Sequence, residues 1–535
     1  MKRVSKAVGI FMLYLSMILI LNSTGNTQVP RRGGDLMFHP MSIPPHFNSA
    51  IQSGWPVMVT GAQLFASLVE FDDKWQPVPY LANSWKISDD NLKYTFHLVE
   101  SATFHDGKPI TSEDIAFSFK TVKENHPFGR AMFDSVDRVE TPTPHTAVFV
   151  LKKPNSAMMI SLSPVLMPVI PKHIYSTGPI RTHPANLRPI GSGPFRFGDY
   201  KQGDYYILER YEKYFRPGLP YLDRIIGKAP KDPSAVEVAI RQGDFHYVPR
   251  SAGMRLQNIA RLKNINHLAV TDRGYEAFGP LNFLQFNLRK PLFKDVRVRR
   301  AIAHAIDKDF IAQKLHQGLS VKATGPIPQS SPFYTTDVRK YDFDLGKANK
   351  LLDEAGHPRG AGGVRFSSTL DWYPGDLDHQ QMLAEYLKPA LGKIGIDIEL
   401  RPPPDMGTYA KRIKSWEYDL AMSGIGLYGD PVIGVHRSYL CENITPVLYT
   451  NDSGYCNPKL DEIMAKAGSE MDFTKRKILY AEFQKILTED LPLIWTNEIH
   501  FFTVYHKELH GVPMGIWGAM APWDKMYWKE GKPPK

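Results

Sequence analysis

Cysteine is nearly absent: Cys441 and Cys456 are the only two in 535 residues. With no cysteine pair at zinc-ligand spacing, zinc-ribbon folds are excluded. The sequence also lacks a His-Glu-X-X-His motif and a Gly-X-Ser-X-Gly nucleophile elbow, and its 18 histidines are scattered, so no catalytic or metal centre announces itself. Basic residues outnumber acidic ones by 65 to 55, yet no basic run carries interleaved aromatics, which argues against nucleic-acid binding. The spread positive charge speaks for solubility and hints at an anionic ligand. Finally, the uncharged run from Val8 to Leu21 is shorter than the ~20 apolar residues that cross a bilayer.

That run is preceded by Lys2, Arg3 and Lys6 and followed by the small residues Asn22-Ser23-Thr24-Gly25. The pattern predicts a cleaved secretory leader over residues 1–25 and hence a periplasmic protein. No cysteine stands near the leader to accept a lipid, so a freely diffusing monomer is expected. In an oxidising compartment Cys441 and Cys456 are expected to pair.

The remaining length suits two or three packed domains. In the first half, Gly33–Phe38 reads as an opening strand, and Tyr94-Thr95-Phe96-His97-Leu98 alternates as a half-buried one. The Asp-Gly pair within Phe104–Pro109 marks a turn, and Thr111 or Ser112 with Asp114 starts a helix. His105 and Asp106 read as parts of that turn, since no nucleophile or second carboxylate motif lies nearby. Gly191-Ser192-Gly193-Pro194 makes a second tight turn. It is not a nucleotide loop, because the lysine and hydroxyl of a phosphate cradle are missing.

Mid-chain, Phe283, Leu284, Phe286 and Leu288 alternate as a strand, and Pro291 breaks it. Asp295 then caps a helix carrying Val298, Ala301, Ile302, Ala305 and Ile306, and Asp307 starts another. Further on, Asp344 opens a helix that Gly356 stops, and strands near Phe366–Leu370 and Ile396–Leu400 alternate with helices. Such alternation predicts a largely parallel sheet covered on both faces. Leu491–Trp495 reads as a strand returning toward the first lobe.

The block Asn287, Pro291, Asp295, Val298-Arg299-Arg300-Ala301 and Ala305-Ile306-Asp307-Lys308 resembles the signature of the large solute-binding proteins of peptide and nickel ABC importers, extracellular solute-binding protein family 5. Leu81-Ala82-Asn83-Ser84-Trp85, Phe104-His105-Asp106-Gly107 and Gly191-Ser192-Gly193-Pro194-Phe195 resemble family motifs in the same order. The resemblance implies an α/β, two-lobed periplasmic-binding-protein fold of type II, with an extra subdomain inserted in the first lobe. The expected division is a first lobe over 26–278 with the insertion at about 50–190, a second lobe over 279–495, and a return to the first lobe over 496–535. It further implies a receptor without cofactor or catalysis. Its partners would be a small solute and an importer's membrane subunits.

In peptide-binding members an Asp on the segment before Gly-Asp-Pro receives the peptide's ammonium. Here Gly429-Asp430-Pro431 matches, but Leu427 stands where that Asp is expected. A leucine cannot pair with a cation, and a buried ammonium without a partner is costly. The candidate ligand residues are therefore Leu427, Tyr428, Asp430, His436 and Arg437, with Trp372 and Tyr373 at the end of a neighbouring strand. Aromatic platforms beside an arginine fork suit a sugar, a carboxylate or a phosphate. A carbohydrate or a carboxylate-bearing conjugate such as an opine is expected over ordinary free peptides. The alternatives are peptide binding with Asp430 compensating, a secreted hydrolase, and a chaperone-like module.

Overall fold

Burial alternates where the sequence does. The strand Lys93–Leu98 buries Tyr94, Phe96 and Leu98 and turns the other residues outward. It lies in a four-stranded antiparallel sheet ordered Ala82–Ile87, Lys93–Leu98, Thr146–Leu151, Val136–Thr143. The helix Ser112–Asn125 covers this sheet with Ile115, Phe119 and Val122. Its first turn is closed by Asp114, whose carboxylate accepts from the Thr111 amide at 2.9 Å. This computed structural model describes residues 29–534 apart from 231, 252, 253, 255 and 375–378; the expected leader lies outside the described residues.

Two larger sheets flank the cleft. The first has seven strands, ordered Leu268–Thr271, Thr503–His506, Tyr247–Val248, Asp35–Phe38, Arg224–Lys228, Tyr205–Arg210 and Phe195–Lys201. The second has six, ordered Ser320–Lys322, Leu493–Ile499, Leu281–Phe286, Leu420–Ile425, Phe366–Trp372 and Ile396–Leu400. Each sheet has its own apolar core. The mixed α/β architecture is the expected two-lobed one.

Two expectations need correction. The second sheet is mixed: Phe366–Trp372 runs parallel to both its neighbours, whereas Leu281–Phe286 and Leu493–Ile499 pair antiparallel. Furthermore, the apolar stretch beginning at Leu491 does not return to the first lobe. Leu493–Ile499 lies between Ser320–Lys322 and Leu281–Phe286 and is buried at all seven positions. The returning strand is the next one, Thr503–His506. The chain thus crosses between the lobes through residues 272–280 and 500–502.

The mid-chain block folds as read. Asp295 accepts from the Arg297 amide and caps Val296–His304, and Asp307 caps the following turn. Arg299 is buried and donates to the carbonyls of Phe293, Lys294, Asp490 and Leu491. It thereby joins the start of its helix to the end of Phe473–Asp490. The two glycine-containing turns of the first lobe also meet each other. His105 accepts from Gly191 N at 3.1 Å and its Nε2 lies 3.0 Å from Gly193 O. Burial pushes its imidazole down to about 4, so it is neutral at working pH and structural.

Candidate functional site

The strand Leu420–Ile425 carries the chain out of the second sheet into a tight loop at 426–430. Tyr428 and Gly429 both have positive φ, 50° and 83°. Gly429 is required on two grounds, since a Cβ there would also meet Ile160 Cγ1 at 2.5 Å and Trp517 Cζ2 at 3.0 Å, both across the lobe boundary. The loop is pinned to the first crossing by Leu427 N donating to Phe278 O (2.7 Å) and Gly429 N to Ala277 O (2.6 Å).

Each candidate residue then has a definite place. Leu427 is buried in the second-lobe core and offers nothing to a cation. Asp430 is also buried, and Arg476 grips both its oxygens, at 2.6 and 2.8 Å. It also accepts from the Val432 amide at 2.9 Å as a helix cap. With these bonds made, both Asp430 oxygens are already engaged inside the second lobe. His436 packs between Tyr480 and Phe483, its Nε2 3.1 Å from the Tyr480 hydroxyl. Burial and the Arg476 charge push it down to about 3. It is a core residue. Trp372 is 7 % exposed within the second-lobe core and presents no open face. Tyr373 is half-buried, edge-on to Tyr409 and Tyr449 at 6.1 and 6.4 Å.

Tyr428 and Arg437 do come together. The Arg437 guanidinium lies 4.9 Å from the Phe128 ring and 5.9 Å from the Tyr428 ring. The two rings are themselves 4.4 Å apart, and Phe278 meets Tyr428 at 5.1 Å. Phe128 belongs to the inserted layer of the first lobe, so this cluster spans the boundary. Arg437 is half-buried. Among the described residues its side chain makes one hydrogen bond, Nε to Gly434 O at 3.3 Å, and no ion pair.

Close by, the expected disulfide joins Cys441 to Cys456, and the loop it closes carries Tyr449 and Asp452. Asp452 Oδ2 accepts from Tyr449 N at 3.0 Å, while Oδ1 is buried without a partner among the described residues. Burial pushes this carboxyl up to about 7, opposed by Arg437 and Arg289. The enclosed void beside it, between Ser423, Gly424 and Ser438, measures about 10 Å³, room for one water. Sequence reading missed Phe128, Phe278 and Asp452. Phe128 and Phe278 bear no spacing relation to Arg437, but Asp452, inside a disulfide loop next to the candidate segment, could have been singled out.

The fold is two-lobed, and an aromatic and cationic cluster lies where the lobes meet. The model of bacterial extracellular solute-binding proteins, family 5 (middle), matches residues 76–445, and the chain belongs to that family. It is 30% identical over 459 residues to a Brucella ovis protein named as an ABC transporter peptide-binding protein, covering 83% of this chain and 82% of that one. Among solved structures it resembles the oligopeptide-binding protein AppA of Bacillus subtilis in complex with a nonapeptide, with TM-score 0.79, 25% identity, and coverage of 94% and 100%. It also resembles AgaA of A. tumefaciens R10 in complex with agropinic acid, with TM-score 0.77, 24% identity, and coverage of 92% and 99%. The protein is accordingly a solute-binding protein of an ABC importer and not an enzyme. No helix among the described residues is long and apolar enough to cross a membrane.

Proposed function

We propose that the cleft captures a small solute through a carboxylate, or a comparably hydroxyl-rich end, held on the Arg437 fork. A carbohydrate or a carboxylate-bearing conjugate such as an opine is favoured over ordinary free di- and tripeptides. The observation that carries this reading is an arginine at the lobe boundary, lying against the Phe128–Tyr428 ring pair, with no carboxylate in ion-pair contact among the described residues and only the charge of Asp452 acting on it from further off. A guanidinium so placed is pre-oriented for a bidentate acid. Leu427 and the engaged Asp430 leave no acid on the same loop to receive an ammonium. The fold itself is neutral on the choice, since one neighbour holds a nonapeptide and another agropinic acid.

Calorimetry against an opine set, a sugar-acid set and a peptide pool tests the reading. A charge-assisted bond is worth about 1.5–3 kcal/mol, so Arg437→Ala should weaken the preferred solute by roughly 10- to 150-fold. Tight, amine-dependent peptide binding that survives Arg437→Ala would overturn it.

A further inference from the structure

Asp452 is a buried acid with no part in holding the solute, yet it belongs to the same unit as Arg437. The disulfide loop that carries it is laced to the turn that carries Arg437. Asn443 Nδ2 donates to Arg437 O at 3.2 Å, and Asn451 N donates to Asn443 O at 3.1 Å. Asp452 is 7 % exposed, and one of its oxygens has no partner among the described residues. It lines the enclosed void at Ser423, Ser438 and Tyr449, which has room for one water.

The groups facing this carboxyl decide what its charge depends on. Tyr449 comes from its own loop, Arg437 from the turn His436–Ser438, and Arg289 from beyond the strand Leu281–Phe286. Tyr409 and Lys414 face it from the helix Met406–Lys414, and Tyr418 donates to its backbone carbonyl at 2.8 Å. Burial raises the carboxyl, and the Tyr449 amide, Arg437, Arg289 and Lys414 oppose that in turn. Arg289 lies over the Trp416 ring at 3.6 Å, and Lys414 is exposed. Of the three cations, Arg437 is the one in the boundary cluster. The influence is mutual, since burial lowers the Arg437 guanidinium and Tyr428, Asp452 and Tyr449 oppose it.

We propose that Asp452 makes capture proton-linked: an acid seated on Arg437 cancels a charge that favours ionised Asp452, and the carboxyl takes a proton from solvent as the solute enters. The inference rests on the reading that a carboxylate sits on Arg437. Its sign follows from linkage. Without solute Asp452 titrates at about 7, and with Arg437 neutralised it titrates higher. Affinity is therefore highest below about pH 7, where both forms hold the proton, and falls as pH rises until both are ionised. The solute's own carboxylate, with an ordinary value of about 4, stays ionised over this range. A difference of about one pH unit between the two forms corresponds to a tenfold loss of affinity.

The first arm of the test needs no ligand. Infrared titration of the whole chain reads the carbonyl stretch of buried acids, and the signal missing from Asp452→Asn belongs to Asp452. It should titrate at about 7 in the wild type and in Arg437→Lys, which keeps the charge. In Arg437→Gln, which stands in for a neutralised arginine, it should titrate about one pH unit higher. The second arm uses agropinic acid as probe, with calorimetry in two buffers of different ionisation enthalpy. Binding at about pH 7.5 should take up a fraction of a proton, and it should weaken roughly tenfold between about pH 6 and 9. In Asp452→Asn it should take up none and stay at the tight level. An Asp452 that titrates alike in all three proteins, or is ionised throughout, would overturn the proposal. So would Arg437-dependent binding without proton uptake, a result that leaves the reading of the cleft intact. Binding unchanged in Arg437→Gln would overturn that reading and the proposal with it. Should the probe not bind, the first arm decides: a titration shifted in Arg437→Gln sustains the coupling, and an unshifted one ends it.

Discussion

Asp430 and Arg437 stand on either side of the short helix Pro431–Gly434, and both are charged, yet their surroundings give them opposite work. Asp430 is locked to Arg476 in a buried bidentate pair, and removing one partner of such a pair costs about 3–5 kcal/mol because the other charge is stranded. Asp430→Ala should therefore lower the unfolding free energy by several kcal/mol. Arg437→Ala should leave it within about 1 kcal/mol while weakening the cleft's solute. Denaturant curves beside calorimetry separate the two, and equal stability losses would refute the assignment. Asp452 gives a pH test. Its carboxyl is raised by burial from an ordinary value near 4 to about 7, so the folded chain keeps a proton there that the unfolded chain releases. Stability from this group is complete below about pH 4 and is lost as pH rises toward 7, with a slope of at most about 1.4 kcal/mol per pH unit. Asp452→Asn removes that slope. The variant should gain on the wild type between pH 4.5 and 7.5, and an unchanged difference would count against a protonated Asp452. That Tyr428 and Arg437 would lie near each other was legible, because only the one-turn helix Pro431–Gly434 and its flanks separate them. That Asp430 was already engaged was not, since Arg476 comes from a helix beyond the disulfide loop.

At the scale of elements, most starts and stops were readable because caps are local chemistry. Asp295, Asp307 and Asp344 each accept from a backbone amide at the helix start where the sequence placed them. The strand at Leu493–Ile499 was readable as a strand but not as a member of the second sheet. Its opening run Leu493-Ile494-Trp495 is one that either sheet would accept, and the choice depends on pairing with Leu281–Phe286, far away in sequence. The disulfide loop is an element of its own kind. Asn451 is fully buried and donates to the carbonyls of Leu440 and Tyr455, and Tyr418 donates to Asp452 O at 2.8 Å. The bridge closes a separation of 15 residues, worth about 3 kcal/mol in the chain-entropy estimate. Cys441→Ser with Cys456→Ser should cost that much and loosen the floor under the cleft strand. Reduction of the wild type should reproduce the loss. A double variant as stable as the oxidised protein would show that the asparagine network suffices alone.

The whole molecule is two lobes, each built on one large sheet, joined by two short crossings, and the lobes touch at defined places. Ser156 donates through N and Oγ to Gly468 O at 3.0 and 3.1 Å, and Gly429 sits against Ile160 and Trp517. Tyr428, Val432 and Ile433 also pack against the first-lobe core, so the closed form is held by close packing around the 426–430 loop and should be sensitive to changes there. Gly429→Ala is such a change. It places a methyl 2.5 Å from Ile160 Cγ1 on backbone with φ +83°, in a contact formed only when the lobes meet. The wild type should compact on binding the solute that calorimetry identifies, as seen in the radius of gyration by scattering. The alanine variant should be more extended without solute and should bind more weakly, because part of the binding energy must close the lobes against the new contact. If the loop alone absorbs the strain, both proteins will scatter alike with and without solute. The 426–430 loop would then be a local feature of the second lobe and not the surface on which closure is decided.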